Sequence, residues 1–179
     1  MILVSDPGRA GGGEVNPGAK LDDLLRPGLD LVVCGSAASS VSAQKGQYYA
    51  GPGNRFWSVL AETGLTPYLL QPPEFPNLLQ YGIGLTDVVK NQSGMDIDID
   101  FSGYGATLEL RLKSFSPRFL CFNGKRAASE ALGRKQVCYG MQSEKFGLTS
   151  LFVAPSTSAA ARRWWDTRYW EELADLVRA

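Results

Sequence analysis

The stretch Cys34 to Trp57, CGSAASSVSAQKGQYYAGPGNRFW, constrains this chain more than any other. It follows a short apolar run, Leu29 to Val33 broken only by Asp30, that reads as a buried strand. Through Ser42 the side chains then shrink, Val41 apart, to Gly, Ser and Ala, so backbone amides can approach a ligand unshielded. Tyr48 and Tyr49 come next, then a Gly-Pro-Gly turn, then Asn54 at the head of an amphipathic helix. A backbone cradle beside an aromatic platform suits a flat, polar ring such as a nucleobase.

The rest of the chain supplies the frame. Residues 1–20 carry five glycines and two prolines and read as a flexible tail; residues 21–179 read as one domain. Leu21 to Leu25 reads as a short helix stopped by Arg26-Pro27-Gly28. Further helices are expected over Asn54–Thr63, Thr107–Phe115, Lys125–Leu132 and Asp166–Val177, with Phe56, Val59 and Leu60 on one inner face. Strands are expected at Leu29–Gly35, Gly84–Val89, Arg118–Phe122 and Leu148–Val153. The proline-rich stretch between Pro67 and Leu79 reads as a loop with a short helix, and Gln92–Tyr104 as a polar connection. Alternating strands and helices predict an α/β fold, a three-layer α/β/α arrangement around a mostly parallel four-stranded sheet. Ligands of such sheets sit beyond the carboxyl ends of the strands. Gly35 to Ser42, Asp87, Asn123 and Pro155 to Ser158 should therefore meet at one rim.

Composition narrows the chemistry. Histidine is absent, which removes Ser-His-Asp triads, Cys-His pairs and histidine metal ligands. Acid–base work falls to Asp, Glu, Lys, Tyr or water. Cys34, Cys121 and Cys138 make no CxxC pair, and the first and second sit in apolar runs as small buried thiols. The DIDID segment at Asp96, Asp98 and Asp100 lacks the Gly and distal Glu of a calcium loop and reads as a solvated edge. No metal or cofactor is expected. With 18 basic and 18 acidic residues, an extended electrostatic nucleic-acid binder is disfavoured, although a local basic patch is compatible. No apolar run approaches a bilayer span and no signal pattern opens the chain, so a soluble, cytoplasmic monomer without membrane contact is expected, nucleoid-associated in a bacterium.

GPGNRFWSVLAETGL, GLTDVVK, FNGKRAA and APSTSAAAR, in this order, resemble the uracil-DNA glycosylase superfamily, most of all its mismatch-specific uracil/thymine branch. The resemblance spans roughly Leu21 to Arg163. It implies hydrolysis of the bond between a damaged base, uracil first, and deoxyribose, in single- or double-stranded DNA, after the base is flipped from the stack. The first motif departs from the family's GINPG: Gly35-Ser36-Ala37-Ala38-Ser39 puts Ala37 where a polar side chain positions the attacking water. Two readings follow. Either the chain is a weak or inactive relative that binds uracil-containing or abasic DNA, or another group does this work. Asp87, in GLTD, is the candidate: it could orient water, stabilise positive charge on the sugar, or contact the base.

The resemblance also distributes roles. Gly35, Ser36, Ala37 and Ser42 would hold base carbonyls or leaving-group charge through amides and a serine hydroxyl; the alternative is a tight strand-to-helix turn. Tyr49 would stack on the base or simply pack, and Asn123 would bond the base or water or cap the next helix. Ser156, Thr157 and Ser158 would contact phosphates or form a satisfied polar turn. The residue that plugs the vacated stack is replaced by Ala160, a poor wedge. Arg162 and Arg163 beside Trp164 and Trp165, with Lys45, Lys125 and Arg126 nearby, form the expected DNA-facing cluster. A nucleotide-binding module is the remaining class, but the chain has neither GxGxxG nor GxxxxGK[ST].

Overall fold

A computed structural model describes residues 21–95 and 98–179. The tail expected over residues 1–20 and Asp96 of the DIDID segment lie outside the described residues. Five strands form one sheet in the order β2-β1-β3-β5-β4: β1 Leu31–Ala38, β2 Ile83–Ser93, β3 Phe119–Asn123, β4 Gly140–Phe146 and β5 Thr149–Ala154. β1 runs parallel to β2 and β3, and β3 parallel to β5. Only β4 is antiparallel, at the edge beside β5. The central strands are apolar on both faces, as strands covered by helices must be: Leu31 to Cys34, Leu120 to Phe122 and Leu151 to Ala154 are fully buried.

Helices cover both faces. Phe56, Val59 and Leu60 of α2 (Phe56–Glu62), with Trp170, Leu173 and Ala174 of α5 (Arg168–Arg178), pack on the face of Leu31, Val33 and Leu85. Leu108 and Leu112 of α3 (Tyr104–Lys113), with Ala127 and Ala128 of α4 (Lys125–Leu132), pack on the face of Val32, Cys34 and Phe122. This is the expected three-layer α/β/α architecture with one more strand. β4, GMQSEKF, was invisible as an apolar run because Gln142 to Lys145 are polar and alternate between half-buried and exposed, as an edge strand tolerates.

Two local expectations are corrected. The stretch from Gly35 to Ser42 is not a loop. Gly35 to Ala38 continue β1, paired with β2 through Gly35↔Asp87 and Ala37↔Val89. Ser39 then caps α1 (Ser40–Lys45), its hydroxyl accepting from the Ser42 amide at 3.1 Å. Small side chains suited a tight strand-to-helix passage as well as they suited a cradle. Leu21 to Leu25 is not helical either: Leu24 forms an antiparallel bridge to Leu85, with N–H···O distances of 2.9 Å both ways. Gly84 permits that approach, since a Cβ there would stand 2.6 Å from the Leu24 carbonyl oxygen. The proline-rich stretch carries a 3₁₀ helix, Pro72–Tyr81.

Candidate active site

Register alone lines up one row of residues across the parallel strands. Gly35 pairs with Asp87, Asn123 pairs with Ala154, and Cys34 pairs with Phe122 one step earlier. The row Asp87–Gly35–Asn123–Ala154 therefore sits at one level, at the carboxyl end of the sheet. Asp87 lies inside β2 rather than in a loop after it, because β2 runs on to Ser93. Its carboxylate lies against the bare Cα of Gly35, level with the ends of β3 and β5.

Asp87 is only 3% exposed. Its Oδ1 lies 2.6 Å from the point a Cβ on Gly35 would occupy, and Tyr49 Oη lies 3.5 Å from that same point. Any larger residue at position 35 would displace the acid. Val88 and Val89 both pack on the opposite face, so the strand alternation slips and Lys90 returns to the side of Asp87. Lys90 Nζ sits 3.6 Å from Asp87 Oδ2 and 2.9 Å from Asp23 Oδ1, and donates to Tyr48 Oη at 3.0 Å. Thr86 Oγ1 donates to Asp23 Oδ1 at 2.6 Å. Arg111 of α3 reaches over the same edge. It donates to the Asp87 carbonyl and, at 3.3 Å, to Thr86 Oγ1. Its Nε pairs with Asp23 Oδ2 at 3.2 Å without the angle of a hydrogen bond. The Leu24 bridge carries Asp23 into this group.

Burial dominates the acid's titration. Desolvation pushes the Asp87 pKa up to about 6, against Lys90, which pulls it down, and with Asp23, which adds to the rise. The partners are too few to compensate loss of water. Burial likewise raises the thiols of Cys34 and Cys121, so neither is a nucleophile at neutral pH.

The opposite half of the rim is neutral. Asn123 Nδ2 donates to Thr157 Oγ1 and its Oδ1 accepts from the Thr157 amide, both at 2.9 Å. The Thr157 carbonyl accepts from the Arg55 amide at 2.9 Å, which ties the loop after β5 to the GPGN turn. Thr157 is fully buried, so its expected phosphate contact is corrected: its polar atoms serve the loop. Ser156 Oγ accepts from the Ser158 amide, and Ser158 Oγ caps the 3₁₀ helix Ala159–Trp164 through the Ala160 amide, both at 3.3 Å.

The remaining expected residues fall as follows. Ser42 is buried, and its hydroxyl accepts from Ser39 Oγ (3.0 Å) and the Ala50 amide (3.2 Å), which fixes the segment carrying Tyr49. Tyr49 stacks one ring face on Phe56, with centroids 4.0 Å apart. Ser36 lies partly buried in β1, and Ala37 packs against the α3–α4 side. Asn54 Oδ1 accepts from the Phe56 amide at 3.0 Å, a capping role. Lys45 is exposed in the last turn of α1. Trp164 is 66% exposed with Arg163 over its ring at 5.3 Å, while Trp165 packs partly inward under Arg55. Arg162 reaches toward Gly53 of the GPGN turn. Lys125 turns onto Tyr139 and Arg126 onto Phe101 and Glu130, away from an extended patch. No cluster of potential metal ligands occurs among the described residues, and none of their helices is long and apolar enough to cross a membrane.

Asp23, Lys90 and Arg111 were not foreseen as part of the site; Tyr48, expected in the aromatic platform, instead bonds Lys90 and the Asp22 carbonyl through its hydroxyl. Lys90 left a trace, a base closing the strand three residues after Asp87; Asp23 left none, because nothing local signals a partner 63 residues on.

The arrangement is that of an α/β protein with its ligand rim at the carboxyl ends of parallel strands. The chain belongs to the uracil DNA glycosylase superfamily, whose profile matches residues 23–174. It is also similar to a Methanosarcina acetivorans protein solved by solution NMR as a candidate uracil DNA glycosylase. The two are 25% identical with a TM-score of 0.56, over 89% of this chain and 97% of that one. Family and neighbour support a DNA glycosylase role.

Proposed function

We propose that residues 21–179 act as one unit, a monofunctional glycosylase of the mismatch-specific type that flips uracil out of DNA and hydrolyses its N-glycosidic bond. One observation carries the reading: a buried, under-compensated carboxylate, Asp87, faces the bare Cα of Gly35 at the strand rim. Lys90 approaches Oδ2, which leaves Oδ1 beside the bare Cα of Gly35. Asp87 takes a proton from water as the water oxygen bonds to C1′. The C1′–N bond breaks and its electron pair leaves with the base. The same negative charge favours the oxocarbenium-like sugar. A pKa near 6 keeps the acid ionised at neutral pH yet basic enough to accept that proton. The ring face of the half-buried Tyr49 opposite the one held by Phe56 would stack on the base. Arg162 and Arg163 would meet phosphates, and Trp164 would lie against the opened stack.

A non-catalytic binder of uracil-containing or abasic DNA is the second reading, favoured by Ala37 and by the partners Asp87 already has. The test is alkali cleavage of labelled oligonucleotides containing U, U·G or T·G, with deaminated purines in parallel. Strand breaks with wild type and none with Asp87→Ala support the proposal. Tight binding without breaks supports the binder, and breaks only at another base overturn the choice of uracil.

A further inference from the structure

We infer that the Tyr49 hydroxyl is the second hydrogen-bond partner of the water that Asp87 activates, filling the role vacated at Ala37. The inference rests on the Asp87 reading above. Tyr48 and Tyr49 are neighbours in sequence and differ in one respect. Tyr48 Oη accepts from Lys90 and donates to the Asp22 carbonyl, both at 3.0 Å. Tyr49 Oη is buried with no hydrogen-bond partner among the described residues. Asn123 is close enough to favour the ionised phenol, but its amide nitrogen donates to Thr157 Oγ1 and no hydrogen bond closes on Tyr49. A buried hydroxyl left without a partner is costly, and such groups persist where a ligand or water completes them.

Three further features direct that hydroxyl to the reacting water. Its oxygen and Asp87 Oδ1 flank the same bare Cα, that of Gly35. Its backbone has φ +52°, an uncommon conformation for an aromatic residue that the fold sustains by seating the ring on Phe56 and pinning Ala50 through Ser42. Burial, then the charge of Asp87, raise its pKa well above the usual phenol range, so the group stays a neutral hydroxyl throughout. In the step, one water proton passes to Asp87, the oxygen bonds to C1′, and the base departs with the electron pair. Tyr49 keeps its own proton and fixes the direction of attack.

Tyr49→Phe keeps the ring and removes only the hydroxyl. Single-turnover excision of uracil from a single-stranded oligonucleotide, at saturating full-length protein, should slow about 10- to 100-fold. Affinity for the oligonucleotide should stay within about twofold, and the Tm should not fall, because the lost oxygen had no partner in the protein. A rate within about twofold of wild type, a loss cured by more protein, or a lowered Tm each overturns the inference. Asp87→Asn run alongside separates the two failures. Inactive Asp87→Asn with normal Tyr49→Phe sinks the Tyr49 role alone. Active Asp87→Asn, or a wild type that excises no uracil, sinks the reading beneath it and this inference too.

Discussion

The two halves of the rim hold their polar groups in opposite ways. Between β3 and β5, Asn123 and Thr157 exchange two neutral hydrogen bonds of 2.9 Å, and the Thr157 carbonyl accepts a third from Arg55. Donors match acceptors and the loop is clamped. Along β2, by contrast, two acids and two bases share one buried edge, yet Asp87 stays short of compensation and its pKa rises to about 6. A satisfied pair makes structure, whereas an acid held out of water at a cost to stability makes a base. On the proposed function, the rim divides into a scaffold half and a reactive half, tied across Gly35 and Tyr49.

The largest expected effect breaks the reactive half. Asp87→Asn should lower uracil excision by about 10²–10⁴-fold, measured in single turnover, with DNA affinity little changed. The same variant should be the more stable protein at neutral pH. An acid whose folded pKa exceeds its unfolded 3.8 binds its proton more tightly when folded. Wild-type stability therefore falls as pH rises from about 4 through about 6, by at most about 3 kcal/mol, and is flat above. Asn does not titrate. Urea unfolding should show the two proteins nearly equal at about pH 4 and diverging by pH 7, with Asn ahead. Excision by wild type should fall on the acid side of about pH 6 for the same reason.

Asn123→Ala tests the scaffold half and should act oppositely. It removes the two bonds that Asn123 makes to the fully buried Thr157 and should cost about 2 kcal/mol of stability. Excision should drop only about tenfold, through displacement of the loop after β5, and the pH profile should keep its acid limb. Were Asn123→Ala to remove that limb while stability held, the division of the rim would be wrong.

The scaffold half was far more legible in sequence than the reactive half, for a physical reason. β1, β3 and β5 are central strands whose two buried faces demand apolar runs, and α4 was bounded at Lys125 and Leu132 by glycines on either side. Edge elements escape that logic. β4 needs few apolar residues, and the segment around Leu24 is held by backbone bonds and by the room above Gly84. Asp87 and Tyr49 were legible as rim residues, Asp87 from the end of the expected strand GLTDVV and Tyr49 from the aromatic pair after the small-residue stretch. Their charge environment was not, since Asp23 and Arg111 arrive from a bridge and a helix with no shared pattern. Ser42 and Thr157 showed the right residue type, but their hydroxyls are used within the chain.

The smallest effect lies outside both halves, on the 3₁₀ helix Ala159–Trp164. Arg162→Ala with Arg163→Ala removes two cations next to the loop that Asn123 clamps, without touching Asp87 or Thr157. If they neutralise two phosphates, log affinity against log salt should flatten by roughly 2, with binding about tenfold weaker at low salt. Single-turnover excision at saturating protein should be unchanged, because neither guanidinium takes part in breaking the bond. Trp164→Ala should behave alike in affinity but keep the salt slope, since a stacked ring releases no counterions. A double arginine variant that kept its slope would place the DNA path elsewhere on the rim, and Lys45 at the end of α1 would be the next cation to remove.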